Sequence, residues 1–282
     1  MKAQAGVIGG GLVVAALFAI GIVLAGFTPA PVDRAPKPVA NVTVPAADVS
    51  QLFSETDITP EQREVLQAEM RRYLLTNPDV ITEVVTLLEA RRAAETAQAE
   101  LSMVSDNAPE IFADGFSYIG GNPNGAVTVV EFLDYRCGFC KRAHSDVMTL
   151  IERNDDIRYI VKEYPILGPE SVTAARAALA VLDVAGEEVY AEFNDLLMKY
   201  GGPINDQVIQ RFADRAGADV TEVFAAMQSP EIERQIRRNH ELGRALDVTG
   251  TPTFIFGEQI VRGFVPLEQM EEAVALVRRI VE

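Results

Sequence analysis

The chain has 282 residues, 48% apolar and 23% charged, enough to bury a core in one or two domains. A formal net charge of −16 argues against a nucleic-acid partner, which would need clustered Lys and Arg. Its two cysteines, three positions apart, close too short a loop to be a disulfide framework, so the pair calls for redox chemistry or a metal.

No charged residue lies between Lys2 and Asp33, and Ala5 to Phe27 is apolar or glycine throughout. That length suits a membrane-crossing helix. A cleaved signal peptide has a shorter apolar region, and the small-residue candidate at Thr28–Ala30 is followed by Pro31. Residues 1–27 therefore read as an uncleaved signal anchor, with a cleaved signal and a soluble product as the alternative. Either reading sends the remainder out of the cytoplasm, where disulfide chemistry is useful. Residues 28–58, with Pro29, Pro31, Pro36, Pro38 and Pro45, read as an extended tether.

Residues 59–105 contain no glycine and read as helical. Leu66, Met70, Tyr73 and Leu74 recur at helical spacing. Asn77 is expected to cap a second helix with Pro78 at its first position. Ile81, Val84, Val85 and Leu88 form one stripe on that helix. Two amphipathic helices alone cannot bury both stripes. They pack on the following domain or on copies of themselves, and the pattern leaves both open.

Residues 106–282 alternate between strand and helix patterns. Val127 to Leu133 is expected as a strand, about Cys137 to Arg153 as a helix, and Ile157 to Tyr164 as a second strand. A helical insertion follows at about 169–246. Thr253 to Phe256 and Gln259 to Phe264 are short strands around a turn, and about Leu267 to Val281 is a closing helix. This order predicts an α/β fold of thioredoxin-like type with an inserted helical domain, preceded by the anchor and the helical region.

The sequence Cys137-Gly138-Phe139-Cys140 follows a strong strand and opens a helix. Free N–H groups and the dipole at a helix start stabilise an anion, so Cys137 is expected to have a lowered pKa and to attack as the thiolate. Cys140, one turn on, is placed to resolve a mixed disulfide. Thr251-Pro252 precedes a short strand; a cis bond there presses backbone against the sulfurs and offers pairing groups to an extended substrate. Glu131, in an otherwise apolar strand, is expensive if buried and is expected to exchange protons with Cys140. Lys141 and Arg142 add positive charge nearby or are solvated helix-face residues. His144 is read as a helix-face side chain, because structural zinc wants four ligands and His240 lies far along the chain. No metal or other cofactor is expected.

The run Gly121-Asn122-Pro123-Asn124-Gly125-Ala126-Val127-Thr128-Val129-Val130-Glu131-Phe132 leading into Cys137–Cys140 resembles the DsbA-like family. So do Pro165-Ile166-Leu167-Gly168-Pro169-Glu170-Ser171 and Val248-Thr249-Gly250-Thr251-Pro252-Thr253-Phe254. The resemblance implies exchange of disulfides with cysteine-containing exported proteins, in the periplasm of a bacterium and on its inner membrane. It makes Cys137 the nucleophile, Cys140 the resolving thiol, Glu131 the buried acid and Pro252 the cis-proline. It also implies a membrane redox partner that recycles the pair. The helices, especially Tyr73-Leu74-Leu75-Thr76-Asn77-Pro78-Asp79-Val80, resemble the amino-terminal oligomerisation region of the suppressor of copper sensitivity protein C group, which implies a homo-oligomer.

Gly138-Phe139 departs from the Pro-His of strongly oxidising members, and together with Thr251 it is similar to disulfide isomerases. An isomerase or reductant is therefore expected ahead of an oxidase. The alternative of another class is a copper-binding or assembly module that uses the thiols as ligands.

Overall fold

The computed structural model describes residues 58–281. The anchor over 1–27, and the tether over 28–58 apart from its last residue, lie outside the described residues. Among those described, no helix is long and apolar enough to cross a membrane. The chain divides into two units, Met1–Tyr73 and Leu74–Glu282.

The first helix, α1 (Pro60–Thr76), belongs mostly to the first unit. Its start is a capping box. Thr59 Oγ1 accepts from the Gln62 N–H, and Gln62 Oε1 accepts from the Thr59 N–H. Leu66, Met70 and Tyr73 are exposed along it.

The second unit begins with α2 (Asp79–Asp106). Its cap is Pro78, one residue later than the sequence suggested. The Asn77 carbonyl accepts the i+3 bond from Val80, and the Pro78 carbonyl accepts from both Ile81 and Thr82. Of the residues in α2 only Val104 is buried. Ile81, Val84, Val85 and Leu88 are exposed, so this stripe does not pack on the domain that follows. A short helix α3 (Ala108–Phe112) leads into the sheet.

The sheet has five strands: β1 (Tyr118–Gly121), β2 (Val127–Leu133), β3 (Ile157–Glu163), β4 (Thr253–Phe256) and β5 (Gln259–Arg262). They lie in the order β1-β3-β2-β4-β5. Strand β2 is parallel to β3 and antiparallel to β4, and both edge strands are antiparallel to their neighbours. β1 carries two glycines and lacks an alternating pattern, which is why the sequence did not mark it. Helix α4 (Gly138–Arg153) connects β2 to β3, and α9 (Leu267–Val281) closes the fold. The helical insertion resolves into α5 (Pro169–Lys199), α6 (Asp206–Ala216), α7 (Val220–Met227) and α8 (Pro230–Ala245). Gly217, at φ 96°, ends α6 by donating to the Ala213 and Asp214 carbonyls.

Strand alternation sorts the interior into two layers. Val127, Val129 and Leu133 of β2 and Tyr159 and Val161 of β3 face the layer that holds Cys137, Cys140 and helices α4 to α7 and α9. Val130, Phe132 and Ile160 face Val104, Ile111, Leu242 and Leu246 on the other side. By this parity Glu131 and Glu163 lie on the face of the cysteines, and Lys162 on the opposite one.

Candidate active site

Cys137 is the N-cap of α4, with φ −76° and ψ 115°, and its sulfur accepts from the Cys140 N–H at 3.5 Å. The sequence placed the helix start at about Cys137; the structure puts it one residue on, with Cys137 in the cap. A sulfur in that position faces the unsatisfied N–H groups of the first turn. The Cys137 thiol is brought down to about 5, first by the hydrogen bond from the Cys140 thiol. The Thr251 side chain and the backbone N–H groups of Cys140 and Phe139 add to that effect, while burial opposes it. Cys140 is fully buried, and burial foremost, with the shared hydrogen bond and Glu131 behind it, pushes its thiol far up. The two sulfurs therefore differ sharply in acidity (one a thiolate at neutral pH, the other a thiol).

The segment before β4 closes over this helix start. The Thr251–Pro252 bond is cis, and the Cys137 thiol donates to the Thr251 carbonyl at 3.1 Å. Thr251 Oγ1 is buried and meets no partner in hydrogen-bond geometry among the described residues. Thr253 fixes the turn by donating from Oγ1 to the Gly250 carbonyl at 2.8 Å.

Glu131 is 2% exposed, beneath the pair on β2. Burial raises it to about 7; the Tyr159 hydroxyl, donating to Oε2 at 2.5 Å, opposes this, and the negative charge of Cys137 adds to it. A carboxyl poised near neutrality can both give and take a proton. The structure thus brings Cys137, Cys140, Glu131, Thr251 and Pro252 to one place, although 121 positions separate Glu131 from Pro252 (252 − 131).

Three residues that the sequence reading did not single out also build the site. Asp134, buried after β2, accepts from the Arg136 N–H and the Ser171 hydroxyl through Oδ1, and from the Ile166 and Leu167 N–H groups through Oδ2. Its own carbonyl accepts from the Cys137 N–H at 2.9 Å. An Asp two residues before the N–H it binds is an Asx-turn, a signal that was available in the sequence. Tyr135 donates to Glu163 Oε1 at 2.7 Å. Glu163 is an acid inside a strand, like Glu131, but Arg158 and Lys162 in the same strand masked it as a polar edge.

The basic and imidazole side chains of α4 have other tasks. Lys141 is not a solvated helix-face residue: its Nζ donates to the Leu197, Met198 and Tyr200 carbonyls and ties α4 to the end of α5. Burial lowers it to about 8. His144 is buried, with Nε2 3.0 Å from Asp195 Oδ1. Arg142 lies over the ring of Phe139 at 4.9 Å and that of Phe264 at 5.4 Å. Phe139 is 53% and Leu167 52% exposed, so the surface around Cys137 is partly apolar.

Residues 128–275 match the family described as DSBA-like thioredoxin domain. Residues 62–95 match the one described as Copper resistance protein ScsC N-terminal domain. A thioredoxin-like oxidoreductase from Silicibacter pomeroyi is 36% identical, with a TM-score of 0.57, over 61% of this chain and 97% of that one. The thiol–disulfide exchange protein alpha-DsbA2 from Wolbachia pipientis is 31% identical, with a TM-score of 0.61, over 64% of this chain and 98% of that one. The Na(+)/H(+) antiporter NhaA 3 of Salinispora tropica is 26% identical over 56% of this chain and 24% of the antiporter. The chain thus spans about a quarter of the length of such curated relatives.

Proposed function

The chain belongs to the DSBA-like thioredoxin domain family, and from that premise we propose that it exchanges disulfides with cysteine-containing proteins exported to the periplasm. The observation that carries this reading is Cys137 itself. It is a sulfur at a helix cap, brought down to about 5, beside a backbone carbonyl that stands before a strand. Substrate would pair with that segment in extended form, its apolar side chains against Phe139 and Leu167.

The Cys137 thiolate attacks one sulfur of a substrate disulfide. A Cys137–substrate bond forms, the substrate S–S bond breaks, and one substrate thiolate leaves. Glu131 then takes the proton of Cys140, which attacks the Cys137 sulfur. The internal disulfide forms, the second substrate thiolate leaves, and the pair has passed two electrons to the substrate. When another substrate thiol attacks the mixed disulfide first, Cys137 leaves unchanged, and the substrate is reshuffled without net transfer of electrons.

Both outcomes, reduction of the substrate by the first route and isomerisation by the second, are preferred here over the reverse, oxidising direction. Burial holds Cys140 as a thiol, and slow closure of the internal disulfide would give a second substrate thiol time to attack the mixed disulfide. The residues between the cysteines, Gly138 and Phe139, add no positive charge that would stabilise the reduced thiolate further. The exposed stripe of α2 and the match over residues 62–95 support a homo-oligomer joined through these helices. A membrane redox partner recycles the pair, and the apolar stretch Ala5–Phe27 holds the protein at the inner membrane.

The test is reactivation of ribonuclease carrying scrambled disulfides, beside oxidation of reduced ribonuclease, with Cys137→Ser in parallel. Reactivation that depends on Cys137 supports the isomerase. Oxidation without reactivation makes the protein an oxidase. Neither activity, together with no reduction of insulin, removes the exchange reading.

A further inference from the structure

A second acid is buried in the same layer as the cysteines, and the exchange steps above do not use it. Glu163, at the end of β3, is 1% exposed and stands opposite Leu133 in the parallel pairing with β2. Its Oε1 accepts two hydrogen bonds, from Tyr135 at 2.7 Å and from Tyr190 at 2.6 Å. Its Oε2 is buried with no hydrogen-bond partner among the described residues. Tyr135 also accepts from Asn194 Nδ2 at 2.9 Å, and Asn239 donates to the Glu163 carbonyl at 3.0 Å.

Neither state is fully satisfied here. A carboxylate would leave charge on Oε2 buried bare, whereas the neutral acid leaves only its O–H there without an acceptor among the described residues. The second is the lesser loss, because a buried unpaired charge costs more than a buried unpaired hydroxyl. The groups that face it are themselves acidic or neutral: Glu131 and Asp134 from β2 and its loop, Tyr135 from the same loop, and Tyr190 from α5, on whose ring Tyr118 stacks at 4.5 Å. The basic residue next to it in the chain, Lys162, points to the other side of the sheet, where its Nζ donates to the Glu110 carbonyl and Asp114. Burial above all, eased by the two tyrosines, accordingly raises Glu163 to about 8.

The connection to the chemistry runs through Tyr135. That residue stands two positions before Cys137, in the loop whose Asp134 carbonyl holds the Cys137 N–H. Its ring packs in the core, and its hydroxyl meets the helical layer through Glu163, which Tyr190 also bonds, and through Asn194. We propose that Glu163 is a positioning residue for disulfide exchange: it ties the Cys137 loop to the helical layer through the Tyr135 hydroxyl, and it keeps its proton while the pair is reduced. It touches neither sulfur and makes or breaks no bond in the reaction. The inference rests on the exchange reading above.

The linkage follows from charge. Reduction of the Cys137–Cys140 bond by two glutathione thiols passes two electrons to the pair and releases glutathione disulfide. Of the two protons freed, Cys140 keeps one, and Cys137 stays a thiolate. That new negative charge disfavours ionisation of Glu163, so in mildly alkaline solution the reduced protein retains a proton that the oxidised protein has lost. The proton released by Cys137 makes rising pH favour reduction until glutathione itself ionises. The proton that Glu163 retains cancels part of that gain, so at alkaline pH the pair is harder to reduce with Glu163 than without it.

The experiment equilibrates wild type, E163Q and Y135F with glutathione redox buffers from about pH 6 to 9.5. It records both the equilibrium constant and the rate of glutathione attack. E163Q is expected to match wild type within about twofold near pH 6.5 and to be at least about threefold more easily reduced near pH 9. Y135F, which keeps the acid but cuts its tie to the loop, is expected to react about tenfold more slowly at every pH. Parallel equilibrium curves for E163Q and wild type would overturn the proposal, as would a wild-type rate for Y135F. If E163Q does not fold, the Y135F rate alone still decides. Glutathione needs only the cysteine pair, so a protein that fails to equilibrate at all removes the exchange reading, whereas parallel curves remove only the role of Glu163.

Discussion

The Cys137 thiol lies 3.1 Å from the carbonyl of Thr251, a residue 114 positions later in the chain. One end of this contact is the N-cap of α4 and the other the turn before β4, so the site exists only when both halves of the domain are folded together. Thr251 Oγ1, buried and without a partner among the described residues while the thiol donates to the carbonyl, is a donor that the thiolate can take up once that proton is lost. Thr251→Val should therefore move the inflection of Cys137 alkylation against pH upward from about 5. An inflection that stays in place would show that the backbone groups and Cys140 suffice.

Glu131 acts on the step after the first attack. Glu131→Gln keeps the hydrogen bond to Tyr159 but cannot take the Cys140 proton. Closure of the internal disulfide from a preformed mixed disulfide should slow on the order of a hundredfold at neutral pH. Alkylation of Cys137 should stay near the wild-type rate. Stopped-flow measurement of both rates separates the two roles, and equal slowing of both would count against a proton acceptor.

The acidity of Cys137 also makes stability depend on pH in the reduced protein. Its folded value of about 5 lies below the ordinary 9.0, so its contribution is fully present above about 9 and is lost as pH falls through about 5. Glu131 has the opposite sign. Raised to about 7 from 4.5, its contribution in the reduced protein is present below 4.5 and lost as pH rises through about 7. The Cys137 contribution should therefore raise the melting temperature of the reduced protein, taken relative to that of the oxidised protein, as pH goes from about 5 to about 9. A difference independent of pH would contradict the lowered thiol.

The exposed stripe of α2 predicts self-association. Sedimentation equilibrium of the chain should give an oligomer, and Ile81→Lys with Leu88→Lys should give a monomer whose Cys137 alkylates at the wild-type rate. The same mass for both proteins would leave the helices without that task.

Much of this architecture was legible in the sequence because it rests on local pattern. The near-continuous apolar runs Val127–Leu133 and Thr253–Phe256 are the imprint of strands buried on both faces, and the periodicity of the closing helix that of one buried stripe; these bounds coincide with the structure. The insertion was legible only as helix, since its divisions at Gly217 and at the Ser229 cap depend on packing among α5 to α8. β1 was missed because its hydrogen bonds to β3, and not its side chains, make it a strand. In the site, residues with distinctive chemistry stood out. Tyr135 and Glu163 did not, because a tyrosine–acid pair 28 positions apart leaves no trace in either segment alone. Lys141 was equally opaque: its partners are backbone carbonyls that any sequence would supply.

The central claim is that Cys137 attacks and Cys140 resolves. Cys140→Ser removes the resolving thiol and should trap a mixed disulfide with a cystine-containing peptide. After proteolysis the adduct should map to Cys137 alone by mass spectrometry, while Cys137→Ser should trap nothing. An adduct on Cys140 in the Cys137→Ser protein, or no adduct in either variant, would contradict the account.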